Sequence, residues 1–265
     1  MNTSVQEKIA RTLCIAIAMC FIGHGIFGVI TKAVWCNYFA VFGIGETMAY
    51  RLMPWVGYAD IALGLLMLIY PVRAVALWLV VWGLLTASLR PLSGEPFAEM
   101  IERAGNYGAP LALLLFTAPF TFRDLFRKID FKTILPQKLA GCTQLLRIVV
   151  FLLLAGHGWL NLLGKKGLIG QYGALGFSDP HAVAQISGVF EIAAGISVLF
   201  VSSPGWLLAL LLWKAATEML YPHYPVPEWI ERGGSYGAIL ALFFALNAQR
   251  RAFFTGKNRA KPAVA

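Results

Sequence analysis

The sequence predicts an all-α integral membrane protein of about eight transmembrane helices, arranged as two four-helix repeats. Composition is the first observation behind that reading. Hydrophobic residues make up 58% of the 265-residue chain and charged residues 13%, the latter roughly half the share in a soluble domain. Mean hydropathy is +0.69. Such a chain is not an ordinary soluble globule, a disordered tail or a secreted disulfide scaffold. The second observation is a series of apolar runs, and the third is a segment that occurs twice.

The runs fall at Leu13–Ile30, Met53–Tyr70, Ala74–Leu89, Gly105–Phe122, Leu145–Leu163, Val183–Val201, Gly205–Leu220 and Gly233–Ala248. Leu13–Ile30 lacks a small-x-small cleavage site, and its counterpart Leu145–Leu163 lies mid-chain, so it reads as a retained span and not a signal peptide. Arg123, Arg127, Lys128, Lys132, Lys138 and Arg147 crowd the central connection, the last of them just inside the fifth run. The C-terminal tail carries Arg250, Arg251, Lys257, Arg259 and Lys261, and Lys8 and Arg11 precede the first run. Basic segments stay cytoplasmic. All three do so if each half crosses an even number of times, which places both termini inside. Lys165 and Lys166 run against this assignment. The net charge of +9 is thereby absorbed by the membrane topology, without nucleic acid as a partner. The units are a first repeat at 1–122, a basic linker at 123–144, a second repeat at 145–249 and a basic tail at 250–265.

Residues 101–113, IERAGNYGAPLAL, and 230–242, IERGGSYGAILAL, agree at ten of thirteen positions. Gly23-His24-Gly25 likewise matches Gly156-His157-Gly158, Asp60 falls opposite Glu191, and Trp82 opposite Trp213. Two copies that both cross an even number of times have parallel topology, related by a pseudo-two-fold axis along the membrane normal.

An ionisable side chain within hydrocarbon costs about 2.5–3.5 kcal/mol and therefore needs a reason. His24, Asp60, His157, Glu191, Lys214 and Glu218 all fall inside apolar runs. At ~1.5 Å per residue they lie in the extracytoplasmic half of the bilayer, joined there by Arg90, Tyr107 and Tyr236. The sequence thus predicts a polar cavity near the outer leaflet, flanked by the two repeats. Lys214 and Glu218 stand i, i+4, the spacing of a helical ion pair. The first repeat has Gly83 and Ala87 in their places, so the two half-sites differ. Four readings of the glycine-flanked histidines stand open. These are hydrogen bonds to Asp60 and Glu191, proton or ligand handling at a lipophilic substrate, bis-histidine haem ligation, and a metal site of two His and two carboxylates.

Trp35, Tyr38, Phe39 and Phe42, with Tyr172 and Phe177, follow the first and fifth runs, and suit an interfacial belt or a short amphipathic helix roofing the cavity. Cys14, Cys20, Cys36 and Cys142 form no C-x-x-C or zinc spacing and read as packing residues. Phosphate loops and nucleophile elbows are absent from the sequence.

A span ending near a His-Gly pair, then a Gly-x-x-Asp/Glu-x-x-x-Gly helix, then two further spans, resembles the DoxX family of small four-span membrane proteins. The matching stretches are Gly23–Gly25 with Gly57–Gly64 (GYADIALG), and Gly156–Gly158 with Gly188–Gly195 (GVFEIAAG). The family's single unit is doubled here, and Asp60 stands where Glu is usual. The resemblance implies a bacterial inner-membrane protein linked to quinone-coupled oxidation, or, from the wider superfamily, a membrane chaperone or cargo receptor. The leading expectation is accordingly a membrane subunit of a quinone-linked redox system. It would use His157, Glu191 and Glu218 for proton exchange, and His24, Asp60, Arg90, Tyr107, Lys214 and Tyr236 to hold the ligand. No metal is assigned. The chain has no electron carrier of its own, so a redox role needs a partner subunit or bound cofactor, with quinone the first candidate and haem behind it. A non-enzymatic scaffold or assembly subunit is the alternative class, and a small-solute transporter the third. The second half-site is expected to be the working one, being richer in donors.

Overall fold

The computed structural model describes residues 4–221 and 223–259, with side chains as far as residue 250. Of the basic tail, Lys261 and the side chains of Arg251, Lys257 and Arg259 lie outside the described residues. The described chain is all-α. Its helices are α1 (Val5–Val29), α2 (Trp35–Ala40), α3 (Glu46–Ile69), α4 (Arg73–Leu92), α5 (Ala98–Glu102), α6 (Ala104–Phe116), α7 (Lys138–Leu162), α8 (Lys166–Ala174), α9 (Pro180–Phe200), α10 (Pro204–Glu218), α11 (Pro225–Glu231) and α12 (Gly233–Arg259).

Five of these, α1, α3, α4, α7 and α9, are long and apolar enough to cross a membrane. The run expected at Gly105–Phe122 is helical only to Phe116. Pro119 offers no amide hydrogen, and its ring disfavours the helical conformation at Ala118. The resulting 13-residue α6 spans ~20 Å, short of a ~30 Å hydrocarbon core. Helix α10, at 15 residues, falls short in the same way. Starts are set locally: the hydroxyl of Ser4 caps α1, and Asp179 and Ser203 cap α9 and α10 ahead of a proline in the first turn.

The two sequence halves interlock. Helix α1 packs on α3 of its own half, and also on α11 and α12 of the other; α7 packs on α9, and on α5 and α6. Close approach at those crossings requires glycine. A Cβ on Gly23 would lie 2.2 Å from the backbone nitrogen of Glu231, and one on Gly156 2.2 Å from that of Glu102. Gly105 and Gly234 meet where α6 crosses α12, leaving 2.7 Å or less for a Cβ. The repeated IER-x-G segment is therefore the contact between halves. Its glutamates lie against the partner half's histidine helix, and its glycines let the last helices touch. Leu13, Ile17, Leu146, Leu153, Leu113 and Leu242, all fully buried, fill the seam beneath.

Arg147, grouped by sequence with the basic linker, is instead buried inside α7. It donates to the carbonyls of Val198 and Val201 and to Ser202 Oγ at 2.5 Å. It thus satisfies the orphan carbonyls where α9 ends. The linker itself is fixed in place: the Ile129 amide donates to Pro71 O at 2.9 Å, and Ile129 and Ile134 are buried.

Candidate functional site

The polar residues expected to converge do so at the end of the bundle formed by α5, α11 and the C-terminal halves of α1 and α7. His24 on α1 and Asp60 on α3 are joined, Nδ1 to Oδ2, at 2.6 Å. His157 on α7 and Glu191 on α9 are joined at 2.5 Å. In the neutral tautomer whose Nδ1–H donates to the carboxylate, Nε2 is left as an acceptor. Of the open readings, the hydrogen-bonded one describes this geometry.

Around those matched pairs the halves diverge. In the second, Asn161 donates to the His157 carbonyl at 3.2 Å, and Tyr172 on α8 donates to Asn161 Oδ1 at 2.8 Å. Trp213 Nε1 donates to Glu191 at 3.3 Å. The Lys214–Glu218 pair closes at 2.7 Å, with Lys214 also 3.9 Å from Glu191, and Arg232 Nε reaches Glu218 at 2.6 Å. The donors that made this half look richer are committed to one another. The space left beside His157 is only about 30 Å³.

The first half has the room. A cavity of about 150 Å³ opens beside His24, with Trp35, Tyr38, Phe39 and Phe42 as one wall and Trp82, Leu85 and Leu89 of α4 as the other. Helix α2 roofs it, as the aromatic loop suggested, and Trp35 lies over the imidazole at 4.6 Å between ring centres. Gly83, standing where the second half has Lys214, packs against the α6 backbone, where a Cβ would lie 3.2 Å from Asn106 O. Trp82 Nε1, unlike Trp213 Nε1, is buried with no hydrogen-bond partner among the described residues. Arg90, Arg103, Asn106 and Glu231 close the polar end. The expectation that the second half-site is the working one meets this obstacle: its charged groups are paired with one another and, although Tyr236 Oη has no partner among the described residues, little space remains beside His157.

Sequence reasoning underestimated the ion network linking the half-sites. Arg103 binds Glu99 at 2.7 Å and Glu102 at 2.9 Å, while Arg232 binds Glu228 at 2.6 Å and lies 3.7 Å from Glu102. Arg90 bridges Glu95 and Glu99, and Tyr38 donates to Glu95 at 2.5 Å. Lys32 pairs with Glu228 at 2.7 Å, and Lys165 pairs with Glu99. Lys165, which counted against the orientation, is thus neutralised locally. The signal was in view, because Glu102-Arg103 and Glu231-Arg232 are the centre of the repeat. Glu102, His157 and Glu218 bring ligand atoms within 4.8 Å of one another. Lys214 and Arg232 already neutralise Glu218 there, and the trio reads as part of the network. Glu231, unlike its counterpart Glu102, forms no ion pair among the described residues, and lines both the cavity and the interhalf cleft. Tyr107 donates to Met100 O at 3.4 Å, and Tyr236 Oη is buried without a partner among the described residues.

Burial drives the Glu228 carboxyl upward, but Arg232 and Lys32 outweigh it and hold it below the usual carboxylate range. Burial likewise opposes ionisation of Glu99, and Arg103, Lys165 and Arg90 overcome both that and the repulsion of Glu102.

No protein-family model, no curated protein and no solved structure matches the chain.

Proposed function

We propose that the chain is the membrane subunit of a quinone-linked redox system, and that a quinone-type ring occupies the cavity of the first half. One observation carries this reading. A largely aromatic-walled space of about 150 Å³ lies beside the His24–Asp60 pair, and its lining includes Trp82, whose buried indole nitrogen has no hydrogen-bond partner among the described residues. A cavity of roughly that volume admits one benzene-sized ring. A quinone supplies carbonyl oxygens, which accept hydrogen bonds, on a flat apolar body, and the site offers complementary groups. Reduction of a quinone consumes two electrons and two protons. His24 with Asp60, and Glu231, are the groups placed to exchange the protons. A redox centre on a partner subunit would exchange the electrons.

The same reading includes the finer topology: eight crossings, cytoplasmic termini, and halves related by an axis along the membrane normal. The recurrence of the α1–α11 contact as α7–α5 supports the axis. It also keeps the resemblance to DoxX proteins as its working frame.

The test is titration of the detergent-solubilised protein with a short-chain ubiquinone analogue, followed by quenching of tryptophan fluorescence. Saturable quenching that weakens in Trp82→Phe supports the reading. A parent protein that binds no analogue overturns it, in favour of a scaffold whose buried charges clasp a partner.

A further inference from the structure

We infer that the opposite end of the molecule carries a built site for an anionic phospholipid. A cavity of about 400 Å³ lies there between the N-terminal turns of α1, the C-terminal end of α3 and the linker. It has two chemically distinct walls. One is made of Ile15, Leu68 and Ile69, which are 52%, 47% and 73% exposed and continue the apolar outer face of the helices. The other holds Arg11, Lys128 and Lys132, with Glu7 and Asp130.

The acids in this wall are already engaged. Glu7 Oε1 accepts from Arg11 at 2.7 Å, and Asp130 Oδ1 accepts the Lys132 amide at 3.0 Å. Lys128 and Lys132 form no ion pair among the described residues, and three cations stand against two carboxylates in this wall, a surplus of one positive charge. They are held in place by structure. Lys128 sits in an antiparallel bridge with Val72, and the buried Ile129 between the lysines donates its amide to Pro71 O. Lys128 Nζ lies 5.6 Å from the Tyr70 ring centre, and Arg11 lies 5.8 Å from that of Phe131. Cations beside aromatic rings, above a lipid-facing apolar wall, form the arrangement expected at headgroup depth. Basic pockets of this kind between spanning helices bind anionic headgroups. An acyl chain would lie along Ile15, Leu68 and Ile69, and its phosphate would meet Lys128 and Lys132.

The experiment is native mass spectrometry of the full chain in neutral detergent, offered phosphatidylglycerol or phosphatidylcholine with identical acyl chains. Phosphatidylglycerol should be retained about tenfold better, in keeping with the attraction of each basic residue for an anionic surface. Lys128→Gln combined with Lys132→Gln should abolish the preference, whereas Arg127→Gln, in the same linker but outside the cavity, should keep it. Each single lysine variant should show part of the loss, which carries the test if the double variant fails to fold. Equal retention of the two lipids overturns the inference. So does an equal loss in Arg127→Gln, or displacement by free glycerol phosphate as effective as by the lipid, which would make this a soluble-anion site. Quinone binding should be unaffected by the lysine changes, so this inference and the redox reading fail separately.

Discussion

At the scale of single residues, Trp82 and Trp213 are the informative comparison. They occupy equivalent positions, yet only Trp213 has its indole N–H satisfied. A buried donor without a partner costs ~1–3 kcal/mol. Trp82→Phe removes that cost, so the ligand-free protein should melt at the same temperature or slightly higher. Its affinity for a quinone analogue should meanwhile fall by about tenfold, the equivalent of one hydrogen bond. Trp213→Phe should instead lower the melting temperature and leave binding unchanged. Loss of stability in both variants, with no effect on binding in either, would remove Trp82 from the site. The histidine pairs give a second test. Asp60→Ala strands His24, and His24→Ala strands Asp60, so the double variant should be destabilised by much less than the sum of the single changes. Strict additivity in thermal melts would show that the pair contributes nothing. Glu218 must be read differently from its sequence: it answers both Lys214 and Arg232, so Glu218→Gln leaves buried cations unbalanced. Such losses cost ~3–5 kcal/mol, and that variant reports on folding before function. The histidines and their acid partners were legible because charge inside an apolar run is conspicuous. Glu102, Arg103 and Arg232 were not, because loop charges normally face water and only the fold shows Glu102 buried and the two arginines partly covered beside it.

At the scale of elements, most of the long helices could be read from apolar run length alone, while the short ones could not. Helix α5 has five residues and α11 seven, below any periodicity that a sequence displays. Both are fixed by tertiary contact: each lies against a histidine helix of the other half, at a glycine whose substitution would collide with its backbone. Gly23→Leu or Gly156→Leu should therefore disrupt the interlock and sharply reduce the yield of folded protein, whereas Gly141→Leu, facing open space, should be tolerated. Equal yields from all three would show that α5 and α11 are not packed this way. The basic connection is more than a tether: Arg147, just beyond it, caps α9 by satisfying carbonyls that a helix end leaves open, and the Ile129 amide is anchored to Pro71 O in the loop between α3 and α4. The proposed orientation has its own test at this scale. Cysteine placed at Ser178, exposed between α8 and α9, should react with an impermeant thiol reagent applied to intact cells. Cysteine at Lys132, exposed at the other end, should not. The reverse pattern would invert the molecule in the membrane.

At the scale of the whole molecule, the two halves are joined at one end by a charge network and elsewhere by hydrocarbon, so acid should act on the network first. Glu99, Glu102 and Glu228 are each buried, which on its own would favour the neutral form. Their arginine and lysine partners reverse that and leave all three carboxyls below the ordinary value of 4.5. A carboxylate whose folded value is lowered contributes stability that is fully present above its unfolded value and is lost as pH falls through the folded one. The melting temperature in detergent should therefore be level from neutral pH down to about pH 5, and fall steeply below about 4.5 as the acids take up protons. Each protonation leaves Arg103, Arg232 or Lys32 facing fewer negative charges, so the losses should reinforce one another across the seam. Glu228→Gln supplies the control: it should begin with a lower melting temperature at neutral pH and lose less on acidification, since part of the network is already broken. A profile flat to about pH 3.5 in the parent, or an acid response identical in Glu228→Gln, would show that the interhalf contact rests on the Gly105–Gly234 crossing and the buried leucines, with the ion pairs contributing little net stability.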